Sequence, residues 1–532
     1  MKTASKDLAD LIKSLSKAER VYFAKFASLY SRNRASDYMK LFKEINAQTG
    51  KGTYDENLIK NNLRREKFAG RLNVTKHYLY NLVLRSLSSF YTSSTDMMKL
   101  SEYIRQVHIL YVRKQPRQCF SVIKRAKRLA YEAQYYEELL ILLNYESRVA
   151  VELFHVKSDI DPAGAIYEEH KRVLKILSNK YLYRSLYMRV WLCYLRSYER
   201  NEDHTQIIHK ILKTRWLQNE KYAISDVAKL NYYFAKAMCH VILKQSEREL
   251  NTLLSSIRFF ETHPLLLKNN FTTYLGILSN ASKSAFLCGK QEISFEILEK
   301  IKAAPARAKV RSTQVLLIQF ESFVYYYSIL LGVSISTGNI DEPLRYISEI
   351  TSGIEKFRKL ISNYEKGAFF KYISIVYFIN GDFNVSLDWV NKILNEKIYA
   401  EGETFQSSIL LFDLILHYEL GNFKLLEYKE RTTREYLRKH TVKDRYAGEM
   451  LRFIRNIVSG NRTITENLVV TKLRLEKINT KSSRPDEEIR AEFDFRLWVE
   501  SKTKGISYQK ALQIRETEKY RNDSIVKARP AF

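Results

Sequence analysis

From about residue 100 onward, apolar side chains return every three or four positions in stretches of about 15 to 25 residues, separated by short polar or glycine-bearing breaks. That spacing turns one face of a helix inward, whereas a half-buried strand would alternate every second residue. Four breaks look alike: Leu287-Cys288-Gly289-Lys290, Ser336-Thr337-Gly338-Asn339, Ile379-Asn380-Gly381-Asp382 and Glu419-Leu420-Gly421-Asn422, set 49, 43 and 40 residues apart. A glycine there stops a helix, because it takes the left-handed conformation without a Cβ penalty. Counted from each glycine, offset +6 holds Phe295, Leu344 and Leu387, offset +9 holds Leu298, Ile347 and Val390, and offset +12 holds Ile301, Ile350 and Ile393. These positions are the expected inward face of the helix after each break. The fourth copy departs, with Glu427, Glu430 and Thr433 at those offsets and Phe423, Leu425, Leu426 and Tyr428 as a shifted apolar set.

The run Gly381-Asp382-Phe383-Asn384-Val385-Ser386-Leu387-Asp388-Trp389-Val390 resembles the turn and second helix of a tetratricopeptide-type repeat, and Gly338-Asn339-Ile340 with Leu344 and Ile347 is similar. The resemblance covers about residues 220 to 440, and its copies exceed the roughly 34-residue period of that family. Longer helices or degenerate copies are implied, within a right-handed superhelical array of antiparallel helix pairs. Such an array offers an extended surface to a protein or peptide partner. Upstream, Tyr103 to Val112, Gln118 to Ala133, Glu137 to Phe154 and Ala165 to Leu177 read as helices, with Asp161-Pro162 as a start signal. The aromatics from Tyr181 to Tyr198 read as core rather than as a base-stacking platform. Downstream, Lys481-Ser482-Ser483-Arg484-Pro485 reads as a linker, and Glu488 to Lys502 and Tyr508 to Arg521 as two last helices. Phe493, Leu497 and Trp498 are suited to cap the end of the array.

The first 95 residues read as a separate helical module, with helices near Leu8 to Leu15, Lys17 to Leu29, Ser36 to Gln48, Asp55 to Lys67 and Thr75 to Tyr91. Within it, Ala69-Gly70-Arg71-Leu72-Asn73-Val74-Thr75-Lys76-His77-Tyr78-Leu79-Tyr80-Asn81-Leu82 resembles a helix-turn-helix core. The resemblance implies that Thr75 caps a recognition helix, that Leu79, Leu82 and Val83 face the core, and that Lys76, His77, Tyr80, Asn81 and Arg85 are candidate nucleic-acid-binding residues. Arginine and lysine donate to guanine and asparagine pairs with adenine, so these types suit base readout.

Composition supports helices. Gly is 16 and Pro 7 of 532 residues, about 3% and 1% against typical usage of about 7% and 5%, and sheet-rich folds need more turns than that. No G-x-G-x-x-G or G-x-x-x-x-G-K-[ST] string occurs, which counts against a Gly-rich phosphate cradle. The formal net charge of +29 favours polyanionic partners. It is denser in residues 1–91 (net +10) and 431–480 (net +7) than elsewhere, and phosphate attraction supplies most nonspecific affinity for DNA.

Cys119, Cys193, Cys239 and Cys288 lie far apart, without zinc-type spacing, as expected of reduced thiols in a cytoplasmic protein. The start, MKTASKDLADLIKSL, has charges where an export signal needs an apolar core. Between Ser312 and Ile340 the only charged residue is Glu321. Length alone would allow a membrane crossing there, but the Gln, Ser and Tyr content favours a core helix and no membrane span is expected. No H-E-x-x-H or G-x-S-x-G occurs, and Ser14-Leu15-Ser16-Lys17 is a common string on lysine-rich helices.

The expectation is an all-α chain in three parts: a basic helical module (1–95), a tetratricopeptide-like helical-repeat domain (96–480), and a linker with C-terminal helices (481–532). The expected function is a non-enzymatic protein-interaction scaffold or adaptor, with no cofactor, no metal and no catalytic residue. The alternative is a DNA-binding regulator whose repeat array senses a partner.

Overall fold

The computed structural model describes residues 5–30, 35–50, 54–66, 68–92, 95–153, 162–200, 203–308, 312–396, 398, 403–440, 445–460, 463–478 and 493–527. Helices are the only regular elements among these residues, so the chain is all-α. It divides into two compact units, Met1–Ser178 and Asn179–Phe532. Neither the break expected at residue 95 nor the one at 480 coincides with this division, and the Lys481 to Pro485 linker and Asp161 lie outside the described residues.

In the first unit, helices Ser5–Ser14, Lys17–Tyr30, Ala35–Gly50, Glu56–Asn62 and Leu72–Phe90 share one core. Each contributes buried residues four apart: Leu8 and Ile12, Phe23 and Ala27, Leu41 and Ile45, Leu79 and Val83, with Ile59 and Leu63 closing the short fourth helix. Asp55 starts that helix by accepting from the backbone N–H groups of Asn57 and Leu58. Helices Asp96–Val112, Pro116–Glu132 and Tyr136–Leu153 enclose a second core around Leu100, Val107, Cys119, Ile123, Leu139 and Leu143. The long helix Pro162–Arg200 adds Val173 and Leu177 to it.

In the second unit, successive helices pack on their neighbours around one continuous core. The apolar helix Ser312–Thr337 is long and apolar enough to cross a membrane by length and composition. It packs against helices Phe271–Leu287, Gln291–Arg307, Asp341–Lys356, Asn363–Asn380 and Tyr508–Lys527. Phe323 lies so near Gly353 of the following helix that a Cβ there would sit 2.1 Å from its ring, which explains a glycine inside that helix. Ser362 and Glu365 cap the next helix reciprocally.

Nine of the described residues take the left-handed conformation at turns, Gln134, Gly460 and Gly505 among them. Lys114 (φ 55°), Lys244 (53°), Gly289 (70°), Gly338 (75°), Gly381 (89°) and Gly421 (71°) are left-handed, and each separates two helices that pack together. At five of these six the next N–H reaches back five residues, as from Gln115 to Leu110, Gln245 to His240, Lys290 to Ala285, Asp382 to Tyr377 and Asn422 to His417. Seven residues before and five after the turn stand Val107 and Cys119, Ala237 and Glu249, Ser282 and Ser294, Leu331 and Pro343, Ser374 and Ser386, Leu414 and Leu426. All are buried except Glu249, which is half-buried.

This register corrects the expected stripe. The buried offsets are +5, +9 and +12, whereas at +6 Phe295 is 46% exposed and Leu344 and Leu387 are half-buried. At about 100° per residue, steps of four and three return to within about 20° of the start, while two steps of three drift by about 120°. The fourth copy keeps the register after all: Leu426, Glu430, Thr433 and Leu437 are its buried positions. Glu430 is tolerated there because Arg455 grips it at 3.0 and 3.3 Å.

The C-terminal helices Phe495–Lys504 and Tyr508–Lys527 do not cap one end of the series. They lie along its flank. Phe493 meets Phe378 and Phe412, Trp498 meets Tyr418 and Phe453, and Arg515 donates to the Ser336 carbonyl. The fully buried Trp498 gives its indole N–H to Glu419 at 2.6 Å. An amphipathic segment with this many aromatics buries more surface across several helices than against a single terminal one.

Candidate functional site

The helix-turn-helix expectation places its recognition helix at Thr75, but the observed helix begins at Leu72, after a 3₁₀ turn over Ala69–Arg71. Asn73, which precedes Thr75 in the motif, is already helical. Thr75 is buried in the first turn and donates to the Arg71 carbonyl at 3.2 Å instead of capping. Lys76 is not groove-facing: it is 4% exposed, and its Nζ lies 3.1 Å from a Glu56 carboxylate oxygen. The cause is register, since Lys76 shares a helix stripe with Leu72, Leu79 and Val83 of the module core. Tyr80 also leans on that core and is half-buried.

The other three candidates do fall together. His77, Asn81 and Arg85 recur every fourth residue along the outer face of the helix, with His77 and Arg85 exposed and Asn81 half-buried. The Asn81 amide donates to the His77 carbonyl at 3.1 Å and lies 3.1 Å from the His77 ring nitrogen Nε2. Val74, Tyr78 and Leu84 share this outer side and are exposed, so it is apolar as well as basic.

Two sites in the second unit have chemistry that no local motif announced. Lys371 is buried, donates to the Ser408 hydroxyl at 2.8 Å, and is held well below the usual ammonium range by that burial. The Ser408 hydroxyl donates to the Phe405 carbonyl at 2.8 Å, so its proton is directed at the backbone rather than at the amine. The second is an open cavity of about 480 Å³ bounded by Glu220, helix Asp226–Ile242 and helix Ser246–Glu261. Tyr232, Lys236 and His240 face it from one helix at four-residue intervals, and Arg248, Thr252 and Ser255 face it from the next. That spacing on Asp226–Ile242 was available to sequence reading, but it takes polar groups for a site only once a second helix is known to lie opposite. No metal-type cluster of His, Cys, Asp and Glu occurs among the described residues. None of the four cysteines forms a disulfide.

No known protein family, curated protein or solved structure matches this chain.

Proposed function

We propose that the chain is a non-enzymatic protein-interaction scaffold whose second unit is a right-handed superhelical array of degenerate tetratricopeptide-like helix pairs. One observation carries this reading: in the second unit a pair twelve residues apart, buried except for the half-buried Glu249, recurs around a left-handed turn at Ala237/Glu249, Ser282/Ser294, Leu331/Pro343, Ser374/Ser386 and Leu414/Leu426. Recurrence of one crossing geometry with different side chains is how a repeat persists after its sequence has diverged. Stacked pairs expose a long surface on which a protein or peptide docks without a reactive centre. Four cysteines without a disulfide accord with a reducing, cytoplasmic setting. The test is cross-linking mass spectrometry on the full-length protein recovered from its own cell. A stoichiometric protein partner whose cross-links map to residues 226–439 is expected; no partner, or cross-links confined to residues 1–95, would overturn the proposal.

The alternative, DNA binding by the N-terminal module, draws on the alignment of His77, Asn81 and Arg85 on one outer face within a segment of net charge +10. It excludes Lys76 from the contact set. The full chain would then bind duplex DNA with an affinity falling steeply as salt rises.

A further inference from the structure

The cavity between helices Asp226–Ile242 and Ser246–Glu261 is unusual in its charge. Lys236 and Arg248 reach it from opposite helices, and among the described residues no ion pair joins either to a carboxylate. Lys236 Nζ donates to the Tyr232 hydroxyl at 2.8 Å, leaving two further ammonium N–H groups and the Tyr232 proton to be donated elsewhere. Arg248 donates to Gln245 Oε1 at a long 3.4 Å, so its guanidinium fork is little used. Glu220, the carboxylate in the wall, accepts from Tyr233 at 2.5 Å. Gln245 Oε1 also lies 3.0 Å from His240 Nδ1. An amide oxygen only accepts, so Nδ1 carries the proton and Nε2 is the nitrogen that gains one when the ring is charged.

We propose that this cavity binds a phosphate monoester, its oxyanion held between Lys236 and Arg248 and receiving the Tyr232 hydroxyl proton. Two cations that are ion-paired to no carboxylate, with the wall's Glu220 engaged by Tyr233, match a dianion better than a singly charged carboxylate, and an arginine fork with a lysine point charge suits tetrahedral oxygens. The volume of about 480 Å³ leaves room for the organic group. The site is independent of the scaffold reading.

His240 supplies a second signature. Burial disfavours its imidazolium most, the Gln245 hydrogen bond opposes that in part, and the charges of Lys236 and Arg248 disfavour it further. The charged and titratable groups around it are Tyr232, Tyr233 and Lys236 from its own helix, Arg248 from the next, and Glu220 in the wall. A bound dianion offsets the two cations and raises the imidazole affinity for a proton. Binding of an anion that stays doubly charged, such as sulfate, therefore takes up a proton at His240 and tightens as pH falls toward 6.

The experiment is isothermal titration calorimetry of the full-length protein with inorganic phosphate, O-phosphoserine and sulfate, in buffers of different ionisation enthalpy. Sulfate does not titrate near neutrality, so proton uptake on binding it reports the protein. Saturable one-to-one binding is expected, weakened at least tenfold by Lys236→Met and by Arg248→Met, with proton uptake lost in His240→Gln. Unchanged far-UV spectra and urea midpoints establish that the variants fold. A phosphoserine peptide binding more tightly than O-phosphoserine identifies a protein source for the ester, and equal affinity identifies a small molecule. Absence of saturable binding, or equal binding by the folded Lys236→Met/Arg248→Met double variant, overturns the proposal.

Discussion

The hydroxyl oxygens of Ser374 and Ser386 lie 2.9 Å apart across the Gly381 turn, and each also reaches the other residue's backbone carbonyl, at 2.8 and 2.7 Å. Ser282 and Ser294 make the same exchange across the Gly289 turn. At these crossings two helices approach closely enough for small side chains to hydrogen-bond to both partners' backbones.

A double-mutant cycle should expose this coupling. Ser374→Ala or Ser386→Ala alone should cost about 1 kcal/mol, because one hydroxyl loses part of its surroundings. The double variant should cost less than the sum of the two. Ser374→Leu should cost about 1–3 kcal/mol by overpacking, even though Leu414 occupies the corresponding position beside Gly421. Urea unfolding measures all four, and strict additivity would show that the two hydroxyls act independently.

Lys114 holds a left-handed conformation at φ 55°. Such a conformation costs a non-glycine residue about 1–2 kcal/mol, partly offset by the greater chain entropy that glycine loses on folding. Lys114→Gly should therefore raise the stability of the first unit by about 0.5–1 kcal/mol. Lys114→Val should lower it, and thermal unfolding read through that unit distinguishes them.

Burial pushes the Glu249 carboxyl up from 4.5 to about 7. Because the folded value is the higher one, the protonated form is favoured in the native state, and the stabilisation is complete below pH 4.5 and lost as pH rises through 7. The native state should thus lose up to about 1.4 kcal/mol per pH unit across that window, less whatever solvent screens. Glu249→Gln should flatten this part of the profile, seen in urea midpoints between pH 5 and 8.

Glu430 stands at a buried stripe position where the other copies hold Leu298, Ile347 and Val390. Removing both Arg455 and Arg434 should leave its carboxylate without its cations and cost about 2 kcal/mol, less than for a fully buried pair because both guanidinium groups are half-exposed. Glu430→Leu should cost under about 1 kcal/mol or stabilise. Denaturant midpoints for the two variants test the order.

Lys76→Met should change the stability of the N-terminal module and not affinity for duplex DNA, since Lys76 lies against Glu56 inside it. Arg85→Ala should do the reverse if the module binds DNA. Fluorescence anisotropy with a labelled duplex, alongside thermal unfolding, reads both. A loss of DNA affinity confined to Lys76→Met would contradict the placement described here.

The sequence by itself determined the helices. Three- and four-residue apolar spacing, scarce glycine and proline, and glycine stops at 289, 338, 381 and 421 place most element boundaries within a few residues of those observed. All of these signals are local, and local backbone preference needs only neighbouring residues. Only the tertiary structure revealed that Lys114 and Lys244 make the same turn as the glycines, because nothing in a lysine marks positive φ. It also decided the register: offset +5 rather than +6 is innermost, since which side of a broad apolar face points inward depends on the helix opposite. For the same reason Lys76 turned inward while His77, Asn81 and Arg85 stayed outside, although one short motif contains all but the last. The cavity of Lys236, His240 and Arg248 required two helices brought face to face, and pairing across helices is a property of packing rather than of spacing along either one.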